Sequence, residues 1–590
     1  MNKDISSLKS IKKIYSYLPP LRKRQLPILI GLILLGSLTE ILTLTLVLPF
    51  INLITDNGSA INSASVNNLM LFFDADKTVD ILEILTIFLI ILIVGSGILR
   101  TIMTWFLYRF SFGLGYDFTA EIYKRTLFQE YNVHLLRNSS EVLGGINKSQ
   151  IMVGNVILPM LKGVAALIMS MSIVLLLFFI NSSVTLGLIG FFVIVYVLLS
   201  KLVKGRLRKN STIIANGQSS RIKSVQEGLG GIRDIILDSS QSIFISRFKF
   251  IEWALRRAQG QNALMADIPR YLVEALVITA MCIIAYGLST SGEGVITSLP
   301  LFGVFALASQ KLIPLMQMVY VNWTQVSGNY AVIADVIELL EQPMPLKKSL
   351  EKVKFNQEIS LKVIDFKFPS SNNNVLRNIS FTIPKGARLG FIGTTGSGKS
   401  TLLDIVMGLL QPTEGKVEID GLLLNVDNIT SWQQQVAHVP QAVYISDLSI
   451  AENIAFGAHV SDIDFNKMAE VIEKAQLGVF VAKQEKGLNT LLGEQGVLIS
   501  GGERQRIGIA RALYKDVDVL ILDEATSALD DKTERDIMLS IDKLGNDITV
   551  LIIAHRLSTL SKCDAVIRLN DGELVGKGTY SDIVSHGDFN

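Results

Sequence analysis

The chain has 590 residues, 55 Lys and Arg against 53 Asp and Glu, 49% hydrophobic side chains and only 18% charged ones. Soluble domains carry about a quarter charged residues, so this balance points to a membrane protein with a soluble portion attached. A net charge of +2 gives no polybasic field and argues against nucleic acid as the main partner, while two distant cysteines, Cys282 and Cys563, exclude a disulfide framework and a zinc site.

In chain order, an amphipathic stretch, Asp4–Leu18, ends at Pro19-Pro20 and reads either as an interfacial helix or as a plain tail. Six segments then have the length and apolarity of membrane-spanning helices: Leu26–Ile54, Ile81–Tyr108, Val156–Ile180, Val184–Leu202, Tyr271–Leu288 and Leu299–Met318. The first is not expected to be a signal peptide, because a polar, basic stretch precedes it, it is too long, and no A-x-A site follows. Residues 1–25 hold seven Lys/Arg and 201–270 hold thirteen, whereas the candidate outer loops 55–80, 181–183 and 289–298 hold only Lys77. That asymmetry places the N-terminus in the cytoplasm and returns the chain there after six crossings. The inner connections 109–155 and 201–270 have helical periodicity with few breakers, so the spans are expected to run on into the cytoplasm. A 30-residue limb would reach about 45 Å. The expected division is a transmembrane domain at 1–340, a linker at 341–356 marked by Pro343 and Pro345, and an α/β domain at 357–590.

The α/β half carries the chemistry. Leu389-Gly390-Phe391-Ile392 reads as a strand and Thr401–Leu410 as a helix. Between them run Gly393, Thr394, Thr395, Gly396, Ser397, Gly398, Lys399 and Ser400, a P-loop in its proper context. The glycines let backbone N–H groups turn towards phosphate oxygens at a helix start that already favours anions. Lys399 would reach the β/γ-phosphates of ATP, and the Ser400 hydroxyl would ligate Mg²⁺. The apolar run Val519–Leu522 ends in Asp523 and Glu524, one acid to hold Mg²⁺ and one to polarise the attacking water. Ser500-Gly501-Gly502-Glu503 opens a further helix and forms a second anion cradle. A single P-loop has no use for it unless it serves another subunit.

At this point the stretch 361–580 resembles the nucleotide-binding domain of the ATP-binding-cassette (ABC) transporters, whose signature LSGGQ reads here Ile499 through Glu503, departing at its first and last positions. The resemblance implies ATP contacts by Thr401 after the P-loop, by Ser500, Gly501, Gly502 and Glu503, and by Asp530 in Ser527-Ala528-Leu529-Asp530 at the dimer interface. It assigns Gln441 to Mg²⁺ and water, His555 to the γ-phosphate beside the catalytic Glu524, and Phe368 to adenine, where Tyr is usual. The alternative reading of Phe368 is a core strand residue. Gly493-Glu494-Gln495-Gly496 resembles an exporter loop that touches membrane helices.

With six spans followed by one cassette, the chain resembles a half-size type IV exporter: an α-helical membrane domain and an α/β P-loop domain in the cell inner membrane, multi-pass, with the cassette cytoplasmic. One cassette needs a second, and intact motifs favour a homodimer with two competent sites. Residues 131–140 and 227–238 occupy the places of the family's coupling helices. Arg100, Arg270 and Lys311 lie in or at the edge of spans, where charge is costly and functional by default. Their surroundings, with Val66–Phe73 as a short helix between spans one and two, look similar to the bacterial lipid-linked oligosaccharide flippase family. That resemblance implies an anionic, diphosphate-bearing lipid substrate. In a competing reading each cation snorkels towards the interface or pairs with an acid such as Glu274 or Glu40. A drug, lipid or peptide exporter, or a non-transporting ATP-gated membrane protein, are the alternative functions.

Overall fold

The computed structural model describes residues 7–55, 78–290, 295–344, 352–369, 371, 373–526, 529–542, 547–554 and 557–585. By internal contacts the chain forms two compact units: Met1–Gln129 with Arg137–Met344, and Glu130–Leu136 with Pro345–Asn590.

The first unit is helical. It comprises α1 (Ser7–Ser16), α2 (Pro20–Thr55), α3 (Thr78–Leu127), α5 (Ser139–Met152), α6 (Leu158–Ile180), α7 (Ser182–Gly230), α8 (Ile232–Leu237), α9 (Gln241–Thr290), α10 (Val295–Gly328) and α11 (Tyr330–Leu340), and the short helix α4 (Tyr131–Leu136) belongs to the other unit. Pro19-Pro20 ends α1 and opens α2, since proline fits a first helical turn, where its missing N–H costs nothing. A single π-helical turn, Val153–Ile157, joins α5 to α6. Helices α3, α7 and α9 run 50, 49 and 50 residues, far beyond the roughly 20 needed to cross a bilayer, so the expected limbs are present.

Among the described residues five helical stretches are long and apolar enough to cross a membrane: Pro20–Ile51, Leu82–Leu127, Ser140–Ile180, Ser182–Gly230 and Gly303–Gly328. The sixth expected span, Tyr271–Leu288, is the end of α9, where several side chains from 280 onward are outside the described set. Val66–Phe73 also lies outside the described residues. Large apolar side chains stand exposed along these helices, with Phe179 at 80% and Ile194 at 68%. Water would penalise such a surface and hydrocarbon would not, which marks a multi-pass membrane protein.

The second unit is built on two sheets. A four-stranded antiparallel sheet has the order β2 (Leu376–Pro384), β1 (Glu358–Phe366), β4 (Glu414–Ile419), β5 (Leu422–Leu423). A six-stranded sheet has the order β10 (Glu573–Gly578), β9 (Ala565–Asn570), β3 (Arg388–Ile392), β8 (Thr549–Ile553), β7 (Val519–Asp523), β6 (Val436–Val439). Its strands are parallel from β9 to β6, and β10 closes the edge antiparallel. Every residue of β8 is buried, as are four of the five in β7, because a parallel strand covered on both faces must be apolar throughout. One core, with Phe391, Trp432 and Ile521, lies against the first sheet; the other, with Ile507, Leu520 and Ile552, lies under the helices. Trp432 is wholly buried and its indole N–H donates to the Val406 carbonyl at 2.8 Å, so it brings no unsatisfied donor into the core.

Candidate nucleotide site

The site follows from strand order. β3, β8, β7 and β6 are successive neighbours and parallel, so their C-terminal ends share one edge, where a doubly wound sheet binds ligands. The segments leaving that edge carry the Gly-rich loop, Asp523-Glu524 and Gln441, and the one leaving β8 carries His555. His555 itself lies outside the described residues, as do Ser527 and Ala528.

The loop between β3 and α12 (Lys399–Val406) takes a shape that only glycine permits. Gly393, Gly396 and Gly398 have φ of 154°, 85° and 94°. A Cβ at Gly393 would fall 2.2 Å from the Leu569 carbonyl oxygen, and one at Gly398 would fall 2.7 Å from a Leu376 methyl. Gly393 to Gly396 are exposed while Ser397 and Gly398 are buried, so the loop stands out from the sheet on a packed footing. Lys399 holds its ammonium over the loop, donating to the carbonyls of Gly393 and Thr394 at 2.9 Å each and to Ser397 Oγ at 3.4 Å. Burial lowers the Lys399 pKa, and the carboxylates of Glu524 and Asp523 act against that fall. The helix begins at Lys399, two residues before the expected start, and ends at Val406 rather than at Leu410.

Opposite lie the acids. Glu524 leaves β7 with φ 51°, a left-handed turn that re-aims its side chain, and its N–H donates to the Ile553 carbonyl at 2.9 Å. Gln441 Nε2 donates a short hydrogen bond to Glu524 Oε2. The structure thus joins two residues that the sequence singled out separately. Two neighbours were missed. The Asp404 carboxyl on α12 is pushed up to about 6, by burial first and by Asp523 next. His438 on β6 is pushed down by burial, with Asp523 acting in the opposite sense. Both sit in apolar stretches with no motif, so only strand order could have brought them to Asp523.

The donor set fits ATP and Mg²⁺. Among the described residues no group of three or more His, Cys, Asp or Glu is placed to hold a metal. Magnesium needs none, because it keeps several waters and takes one or two protein oxygens plus phosphate oxygens. Ser400, Asp523 and Gln441 are oxygen donors of the right hardness.

The second cradle begins α13 (Gly501–Tyr514). Ser500 caps it: Glu503 N–H donates to Ser500 Oγ at 3.3 Å, and Glu503 Oε2 accepts from the Ser500 N–H and hydroxyl at 2.8 Å each. Glu503, like the Gln it replaces in LSGGQ, closes a capping box, legible beforehand as Ser-x-x-Glu. Glu503→Ala should cost about 1 kcal/mol of helix stability, read as a lower melting temperature, whereas Glu503→Gln keeps an acceptor and should melt near the parent. Asp530 accepts from Thr533 N–H at 3.1 Å and from its hydroxyl at 2.7 Å, at the start of α14 (Asp531–Asp542). Its carboxylate is thus used locally. Phe368 is half-buried and meets the buried Phe366 edge-on, with ring centroids 5.0 Å apart.

In the helical unit the three expected substrate cations are all partnered. Arg100 and Lys311 both ion-pair with Glu40, the latter at 2.8 Å, and Arg270 lies 3.9 Å from Glu274.

Residues 376–527 match the family model for the ABC transporter domain. The "ATP-dependent lipid A-core flippase" of Escherichia coli K12 is 32% identical over 391 residues, covering 65% of this chain and 66% of that protein, and the protein of the same description from Shigella flexneri matches equally. The alignment thus spans just under two thirds of those relatives' length. A solved bacterial Atm1-family ABC exporter with ATP bound superposes with a TM-score of 0.78 at 21% identity, over 95% of this chain and 96% of that one. The chain thus carries an ABC transporter domain and has the fold of an ABC exporter. Its second unit is accordingly an ATP-binding cassette.

Proposed function

We propose that this protein is an ATP-hydrolysing translocase of the inner membrane, acting as a homodimer and moving a lipid-linked, anionic substrate. The observation that carries the reading is the meeting of Gln441 and Glu524 on the strand edge that also holds the P-loop. When bound, Mg²⁺ would supply positive charge against the charge developing on the phosphates. The chain's own share is positional. Lys399 and the loop N–H groups fix the phosphates, Asp523 and Ser400 hold the metal, Glu524 polarises the attacking water, and His555 grips the γ-phosphate. We keep the domain limits 1–340 and 357–590, with 341–356 as linker, and a cytoplasmic N-terminus and cassette.

Two features support a dimer. Ser500 and Gly501 at the start of α13 are exposed, ready for the phosphates of a nucleotide on another cassette. At the tip of the α7–α9 hairpin, Leu229, Ile236 and Leu237 are 67, 58 and 73% exposed, an apolar knob that a second copy would cover. The other tip, α4, belongs with the cassette by contacts, and the Tyr131 phenol is raised by burial and then by the Asp404 carboxylate. We assign α4 and the 227–238 tip the role of carrying cassette closure to the membrane helices.

The lipid-linked oligosaccharide remains the favoured cargo, on the three cations and on the lipid A-core for which the flippase relatives are named. Lys399→Ala should weaken nucleotide binding on the order of 10–100-fold, the share of one charge-assisted contact, measured with a fluorescent ATP analogue. Unchanged affinity would remove Lys399 from the phosphate site.

A further inference from the structure

Glu534 lies in the first turn of α14 and is 7% exposed, a carboxylate carried into the interior of the cassette. Burying an acid is costly unless donors meet it. Two do. The Thr526 hydroxyl donates to Glu534 Oε1 at 3.0 Å, and the Thr559 hydroxyl donates to the same oxygen at 2.7 Å. The two threonines come from different segments. Thr526 stands two residues after Glu524 on the chain leaving β7. Thr559 stands four residues after His555, in the 3₁₀ helix Leu557–Lys562 that follows β8. Upstream of both, the Glu524 N–H already donates to the Ile553 carbonyl at 2.9 Å. These contacts close a ring. From Glu524 it runs along the chain to Thr526, across Glu534 to Thr559, back along the chain past His555 to Ile553, and over to Glu524 again. The Glu534 carboxylate closes its far side. Leu529, Ile537 and Leu560, buried in one apolar cluster, give the same three segments their hold on the core independently of the carboxylate.

Resting on the roles given above to Glu524 and His555, we propose that Glu534 is a positioning residue for ATP hydrolysis. It holds the segment of the water-polarising carboxylate in register with the segment of the γ-phosphate histidine. Glu534 acts through the two threonines and is not a catalytic residue. Hydrolysis needs both groups on one γ-phosphate at once, and a misplacement of about 1 Å at such a site can cost on the order of 100-fold in rate. Two charge-assisted bonds on one oxygen suit that task, because they are short and fix direction as well as distance. Binding is a separate matter. The P-loop and Lys399 hold the phosphates from β3 and α12, outside the ring, so the ring should govern turnover and leave affinity alone.

The test is basal ATPase activity of the full-length protein in nanodiscs, with kcat counted per site titrated by a fluorescent ATP analogue, so that misfolded protein drops out. Thr526→Val and Thr559→Val each remove one hydroxyl and keep the side-chain shape. Each should lower kcat about 10-fold, the share of one hydrogen bond to a charged group, with KM within about twofold of the parent. The double variant should be no slower than the slower single one, because either change already opens the ring. Glu534→Ala should fall to the same level. If it fails to accumulate, the threonine variants, which keep the carboxylate, carry the test. Losses that multiply to about 100-fold in the double variant would mark two independent local roles and overturn the proposal. So would a parental kcat per site in both single variants, or a loss confined to KM. Glu524→Gln is the reference. If it turns over normally, the reading of Glu524 itself fails; a slow Glu524→Gln beside parental threonine variants removes Glu534 alone.

Discussion

Glu524→Gln is expected to leave ATP binding intact and to lower ATP turnover about 10²–10⁴-fold, the usual range for loss of a positioned base. The geometry explains why binding should survive. Glu524 is held by its backbone, through the N–H bond to Ile553 at 2.9 Å and the left-handed φ of 51°, and glutamine leaves both untouched. The Gln441 amide still finds an acceptor in the new side-chain carbonyl. What disappears is the negative charge that polarises water. The variant should therefore accumulate as an ATP-bound, closed dimer, visible as slowed nucleotide release and as a change in cross-linking between cassettes. Near-normal turnover in the purified protein would remove Glu524 from its role.

The second large effect concerns cargo. Arg270→Gln combined with Lys311→Gln should reduce lipid flipping by roughly 10–100-fold, the scale of one or two charge-assisted phosphate contacts in a partly desolvated cavity. Basal ATP hydrolysis should fall far less, because neither residue belongs to the phosphate site of the cassette. The structure refines the expectation for each. Arg270 is 61% exposed and only loosely tied to Glu274, one helical turn on, so removing it costs little stability. Lys311 shares the buried Glu40 with Arg100, and its loss leaves that carboxylate one partner. Some loss of thermal stability is therefore expected from Lys311→Gln. Expression, melting temperature, ATPase activity and flipping measured side by side separate the two roles. Parallel loss of all four marks a structural pair, whereas loss of flipping alone marks a cargo site.

The cassette was legible in the sequence because its chemistry is local. The P-loop needs Gly393, Gly396 and Gly398 at fixed positions to adopt positive φ, and Asp523-Glu524 must end an apolar strand. Such constraints leave contiguous motifs. Asp404 and His438 were not legible, because what brings them to Asp523 is the order β8-β7-β6 together with the packing of α12, and neither leaves a pattern in the chain. Apolar runs located the membrane helices, but their true lengths showed only in α3, α7 and α9, since polar limbs lack the hydropathy signal that marks a span. The three cations are a further case. The acids Glu40 and Glu274 are their partners, as the competing reading held, yet Arg100 and Lys311 share one acid and remain in excess. Pairing of residues 60 and 271 positions apart depends on how three helices pack, which periodicity alone does not encode.

The most direct test of the account follows a fluorescent lipid-linked oligosaccharide in proteoliposomes holding the purified protein, with quencher accessibility reporting its leaflet. The account predicts an ATP- and Mg²⁺-dependent change in accessibility that Glu524→Gln abolishes and that non-hydrolysable ATP does not support. Vigorous ATP hydrolysis by the same proteoliposomes, with the lipid remaining in its original leaflet, would contradict it.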